Sequence, residues 1–180
     1  DTTLAPGAQL VLRPTDYSGN LDNSGETITL SDASGNVIES FTYNDKLPWP
    51  EAPDGQGFSL VRISPASQLD PDLPTSWRSS TTVGGNPGTE DSSTFPGGDL
   101  IAYALEANPL VPTIDGVVTP KKLAADDLIQ TLQTSTDLQS WTDVTAPDSE
   151  SLPSNGFIEQ TFNVAPATSK RFYRLKITLR

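Results

Sequence analysis

The sequence predicts an all-β protein built from two modules. Three observations carry that expectation. Its 13 Gly and 16 Pro fall as regular punctuation between short apolar runs, which suits many short strands joined by tight turns. Two segments, Thr27–Ser31 and Arg171–Leu179, alternate polar and apolar residues with the two-residue period of a strand that has one buried face. A stretch rich in Gly, Ser, Thr and Pro, Thr82–Gly98, lies between the halves and reads as a linker, placing the modules at residues 1–96 and 97–180.

Taken in order, Ala8–Arg13 is a short apolar strand. In Thr27–Ser31 the period sets Ile28 and Leu30 on one face; Asp32-Ala-Ser-Gly-Asn36 then supplies a turn, and Val37–Tyr43 returns. Gly57–Ile63 is a further strand, and Trp77 plugs one end of the first module. In the second module Asp99–Ala107 is the single helix candidate. Asp99 can cap it, Leu100, Tyr103 and Ala104 share a face, and Asn108-Pro109 ends it. Leu128–Thr134, Gly156–Val164 and Arg171–Leu179 follow as strands. The last directs Phe172, Arg174, Lys176 and Thr178 one way and Tyr173, Leu175, Ile177 and Leu179 the other.

Composition narrows the chemistry. Cys, Met and His are absent, which removes disulfides, thiolate nucleophiles, imidazole bases and Cys/His metal sites. A chain without Met also leads us to expect that Asp1 follows a removed segment, as in a processed secreted product. The net charge of -12 repels nucleic acid and anionic membrane surfaces. No apolar run approaches the roughly 20 residues that span a bilayer. The charge is uneven: residues 1–98 hold four basic against 13 acidic side chains, and residues 99–180 hold seven against ten.

An ordered series in the first half carries a resemblance. It runs Leu4-Ala-Pro-Gly7, Gly19-Asn-Leu-Asp-Asn-Ser-Gly-Glu-Thr-Ile-Thr-Leu30, Asp32-Ala-Ser-Gly35, Trp49-Pro50, Asp54-Gly-Gln-Gly57 before Phe58-Ser-Leu60, Trp77 and Gly85-Asn-Pro-Gly88. Residues from about 3 to 90 thereby resemble a bacterial lamin-tail-type domain, an immunoglobulin-like β-sandwich. Members of that family have about two further strands ahead of the Leu4-Ala-Pro-Gly7 segment. Leu100-Ile-Ala-Tyr-Ala-Leu105, Ser135-Thr-Asp-Leu-Gln-Ser-Trp141 and Arg171-Phe-Tyr-Arg-Leu175 are similar to the C-terminal regions of large secreted proteins of Planctomycetes- and Verrucomicrobia-like bacteria. That likeness implies a small fibronectin- or immunoglobulin-like sandwich. Both resemblances imply extracellular, non-catalytic architecture and carry over no catalytic residue.

Each candidate site has a plainer competitor. Asp70 with Asp72, and Asp126 with Asp127, are paired carboxylates of the kind glycosidases use, yet they fall in segments that read as loops. Asp32, Ser34 and Asn36 alternate around Gly35 as oxygen ligands of Ca2+ do, and Asp70 with Asp72 is the other candidate Ca2+ position. A hairpin turn explains the first trio equally, and the twelfth position from Asp32 is Tyr43 where an EF-hand loop needs Glu. Tyr43, Trp49 and Phe58 form a candidate polysaccharide-stacking surface, against simple packing at the sandwich end. Arg171, Arg174 and Lys176 form a basic face for an anionic glycan or an acidic neighbour, against a solvated strand face. A Ser–Lys nucleophile or an intramolecular isopeptide bond has no local signal. The expected protein is therefore secreted and non-catalytic, without a cofactor unless Ca2+ is one. Its partners are other copies or other extracellular subunits, met through an open sheet edge. The alternative is a carbohydrate-binding or adhesion module appended to a secreted hydrolase.

Overall fold

The computed structural model describes residues 3–63, 69–113, 116–164 and 170–180. It is mostly β with one short helix and divides into two compact units, Asp1–Asp91 and Ser92–Arg180.

Unit 1 holds two separate two-stranded sheets. β1 (Thr27–Ser31) and β2 (Val37–Thr42) form an antiparallel hairpin pairing Ile28 with Phe41 and Leu30 with Glu39, with a bulge between Leu30 and Ser31. The hydroxyls of Thr27 and Thr42, and of Thr29 and Ser40, meet at 2.8 and 2.9 Å. One face is thus a hydroxyl ladder and the other carries Ile28, Leu30 and Phe41. β3 (Leu60–Arg62) pairs with β4 (Trp77–Ser79), which follows a 3-10 turn at Pro74–Ser76. Trp77 bridges the hairpins: its ring lies 4.8 Å from Phe41 and 6.2 Å from Trp49, and its indole N–H donates to Pro71 O at 2.8 Å.

Two expected strands differ here. Ala8–Arg13 is not a strand. Leu10, Val11 and Leu12 are 51%, 45% and 55% exposed, and among the described residues no strand pairs with the segment. Apolar content alone cannot make a strand; its amides and carbonyls need a neighbouring ladder. Gly57–Ile63 is ladder-paired only over Leu60–Arg62, because Gly57 sits at φ 81°, outside the extended region.

Thr82–Gly98 is anchored to the unit on either side of it, although its composition reads as a free linker. Asp91 accepts from Thr81 N–H at 3.0 Å and Thr81 hydroxyl at 2.6 Å, and its Oδ2 lies 3.6 Å from the guanidinium of Arg78, which is 2% exposed. In unit 2, Ser93 N–H donates to Ala124 O, Phe95 N–H donates to the Asp127 carboxylate, and the Phe95 ring lies 5.3 Å from Tyr103. The Asp91 carboxylate within the segment, and Ala124 O and the Asp127 carboxylate 31 and 32 residues on, fix a backbone whose local composition is permissive.

Unit 2 opens with α1 (Leu100–Leu105). Asp99 caps it, accepting from the amides of Ile101 and Ala102, and Ala104 is fully buried. Then come β5 (Val111–Pro112), β6 (Gly116–Lys122), β7 (Leu128–Ser135), β8 (Thr142–Asp143), β9 (Ser149–Glu150), β10 (Phe157–Asn163) and β11 (Phe172–Leu179). They make one sheet in the order β5-β6-β10-β9 and another in the order β11-β7-β8, every pairing antiparallel. Val117 and Phe162 from the first sheet and Leu132 from the second form one buried cluster, with Leu110, Val144 and Tyr173 against it. On β10, Ile158, Gln160 and Phe162 are buried at two-residue spacing.

β6 eludes sequence reasoning because it contains Pro120, which cannot donate to a ladder. It is tolerated since β5 reaches only Val117 and Val118. Pro120 pairs with Glu159 on the other side, and its carbonyl accepts from Gln130 Nε2 at 2.5 Å. Gly116 begins β6 where a Cβ would run into the carbonyl of Phe162.

Candidate functional site

The β1–β2 hairpin creates two features of unit 1 that could do chemical work, an open edge and a cleft. Tyr43 N–H donates to Glu26 O at 3.1 Å. Given the alternation of an antiparallel ladder, this makes Ile28–Phe41 and Leu30–Glu39 the hydrogen-bonded pairs and turns the amides of Thr27, Thr29, Ser40 and Thr42 outward. Thr42 N–H is capped by the Asp72 carboxylate at 2.8 Å. Among the described residues, no strand lies beyond either outer edge of this sheet. Leu30, Val37 and Ile38 flank it at 52%, 62% and 64% exposure.

The cleft lies on the Ile28–Phe41 side of the hairpin and has a volume of about 410 Å3. Phe41, Tyr43 and Trp77 give it aromatic surface, Pro50 and Pro53 give it aliphatic walls, and Asp22, Asp45 and Asp54 give it carboxylates. Tyr43 is fixed by its hydroxyl, which donates to Asp22 O at 2.5 Å. Burial, and then the charge of Glu26, push its phenol above the ordinary range. Gly25 lets the 22–26 turn approach closely: a Cβ there would run into the Tyr43 carbonyl. Asn23 Nδ2 donates to Asp54 Oδ1 at 3.1 Å and ties that turn to the 50–57 loop. Asp22 accepts from the hydroxyl and amide of Ser24, which hold its carboxyl below the usual range.

The expected site residues fall into place unevenly. Asp32 uses both carboxylate oxygens on its own turn: Oδ1 accepts from Ser34 and Asn36 amides at 2.9 and 2.8 Å, and Oδ2 from Asn36 Nδ2 at 2.9 Å. The Asn36 bonds are the chief reason its carboxyl lies below the usual range. Asp70 Oδ1 accepts from Asp72 N–H at 3.0 Å, while Asp72 caps β2. Among the described residues no three His, Cys, Asp or Glu side chains cluster as metal ligands. Of Tyr43, Trp49 and Phe58, Tyr43 lines the cleft, Phe58 is half-buried, and Trp49, 7% exposed, packs beside Trp77, whose ring also meets Phe41. Arg171, just before β11, and Arg174 and Lys176 on it are all exposed; Arg174 also donates from Nε to Gln133 Oε1 at 2.7 Å and stacks 4.1 Å from the Trp141 ring. Asp126 and Asp127 lie in unit 2, Asp126 buried and Asp127 receiving Phe95 N–H.

Sequence reasoning missed Asp22, Asn23, Phe41 and Asp54. The available signal was a polar turn on either side of the aromatic strand, at Asp22-Asn23 and at Asp54-Gly55. Only the fold brings these turns together, across 31 positions in the chain.

Comparison with family models, with curated proteins and with solved structures finds no match to this chain.

Proposed function

We propose that this chain is a non-catalytic extracellular interaction protein, a subunit of a surface fibre, matrix or larger secreted assembly, that associates through the open sheet edge of unit 1. We read both units as immunoglobulin-like β-sandwiches, the first of lamin-tail type. One observation carries the reading. β1 and β2 form a sheet of only two strands, with outward amides at Thr27, Thr29 and Ser40 and apolar Leu30, Val37 and Ile38 exposed beside them. A lone hairpin is marginal in water. A strand donated by another subunit would satisfy those amides and cover the apolar side chains.

Light scattering across a concentration series tests this. We expect mass to grow with concentration. Ser40→Pro removes one outward N–H and the Thr29–Ser40 hydroxyl bond but no backbone bond between β1 and β2, so it should suppress growth, whereas Ser40→Ala, which loses the hydroxyl alone, should not. Wild-type protein that remains a monodisperse monomer at high concentration would overturn the proposal.

A further inference from the structure

We propose that the cleft beside the β1–β2 hairpin seats a cationic side chain, Arg or Lys on its aliphatic stem, carried by the basic C-terminal strand of a second copy of this chain. The second-copy part rests on the association reading above; the cation preference does not.

The cleft has the parts that such a side chain needs. Phe41 and Trp77 offer ring surface, Pro50 and Pro53 can take an aliphatic stem, and three carboxylate residues, Asp22, Asp45 and Asp54, are part of the lining. Among the described residues one cation pairs with them: Lys46, whose side chain is 75% exposed and tied to Asp45 at 2.6 Å. Three carboxylates against one ammonium leave the lining negative. An anionic ligand is repelled there, and a neutral one leaves the field uncompensated. A guanidinium or ammonium gains both the π face and the carboxylates. The field is already visible on Lys46. Its ammonium is held above the ordinary range, first by Asp45, with Asp54 and Glu51 adding to the effect.

Charge complementarity names the occupant. Residues 170–180 carry Lys170, Arg171, Arg174, Lys176 and Arg180 and no acidic residue. β11 is the outer strand of its sheet; Lys176 is exposed on it and Arg171 is exposed just before it. Residues 1–91, with four basic against 13 acidic side chains, are the more acidic partner. A cleft on one copy meeting a strand on the next is a head-to-tail contact, which propagates unless its rotation closes a ring.

The experiment has two arms. In the first, wild-type protein is titrated with N-acetyl-arginine-N-methylamide and followed by NMR at the Trp77 indole N–H and at Tyr43. N-acetyl-glutamine-N-methylamide and a methyl glucoside serve as neutral probes. The arginine probe should give saturable shifts, about tenfold weaker in affinity in Asp45→Asn/Asp54→Asn, and the neutral probes should not saturate. Equal shifts from either neutral probe, or no saturable response to arginine, would overturn the cation seat without recourse to any variant. In the second arm, Arg171→Glu/Lys176→Glu should raise the concentration at which mass grows by about tenfold. Unchanged growth would overturn the second copy as occupant. Wild type that stays monomeric while still binding arginine would refute the association reading, and with it the occupant, but not the cation seat.

Discussion

Unit 1 buries the apolar side chains of Trp49, Ala52 and Ile63; unit 2, of nearly equal length, buries Val117, Leu123, Leu132, Ile158 and Phe162 together with Ala104 and Ala125. Their surfaces mirror this. Among the described residues, Leu10, Val11, Leu12, Leu21, Val37 and Ile38 all stand exposed in unit 1. The strands of unit 2 close over a shared cluster contributed by both of its sheets. Unit 1 instead relies on an aromatic trio, the buried Arg78–Asp91 pair and carboxylate caps on backbone amides. Apolar burial is non-directional and tolerant, whereas polar staples work only when every partner is in place. A unit held by staples can leave strand edges and apolar side chains uncovered, which is what the proposed association requires.

The contrast can be broken at its strongest points first. Asp91→Ala removes the carboxylate 3.6 Å from a guanidinium that is 2% exposed; breaking a buried pair costs about 3–5 kcal/mol. Calorimetry should show the unit 1 transition falling while that of unit 2 holds. Leu132→Ala opens the shared cluster of unit 2 and should cost about 2–5 kcal/mol, moving the other transition; a variant that shifts both equally would show that the two units do not unfold separately. Asp72→Ala sharpens the comparison at smaller scale. It uncaps Thr42 N–H at a cost of about 1 kcal/mol, and it should lower the concentration at which light scattering detects growth, because one more outward amide becomes available.

The smallest effect is in pH dependence. Backbone amides of Ser140 and Gln139 and the Ser135 hydroxyl hold the Asp137 carboxyl down to about 2. Its pKa in the folded chain lies below the value of about 3.9 for an unfolded Asp. Its stabilisation is therefore complete above about pH 4 and fades as pH falls toward about 2. An NMR titration of the Asp137 carboxyl should place the midpoint near that value, and Asp22 and Asp32 in unit 1 should also titrate below the ordinary range. A midpoint for Asp137 at the unfolded value would remove the turn hydrogen bonds from the account.

Local chemistry was readable from the chain and long-range pairing was not. The β1–β2 hairpin, the Asp99 cap and β11 follow from period, turn residues and capping, each settled within a few neighbours. Ala8–Arg13 failed because its composition suits a strand but no ladder partner exists among the described residues. β6 was hidden by Pro120, whose tolerance depends on how far β5 extends. The candidate cleft was half visible. Tyr43 was singled out as a site residue, but Phe41 on β2 and Trp77 on β4, which line the cleft with it, were not, and the carboxylates of Asp22 and Asp54 arrive from separate turns. The trio Asp32, Ser34 and Asn36 read equally as cation ligands and as a turn because the same oxygens serve both; in the fold both Asp32 carboxylate oxygens accept from amides of that turn.

The Arg78–Asp91 contact also orders events in time. Asp91 is the last residue of unit 1, and its carboxylate reaches back to Arg78 and Thr81. As a ribosome releases the chain from its amino end, the strands of this unit emerge before the group that locks them. The nascent unit therefore lacks this pair until its final residue clears the exit tunnel, and a cut just upstream of that residue would remove the pair.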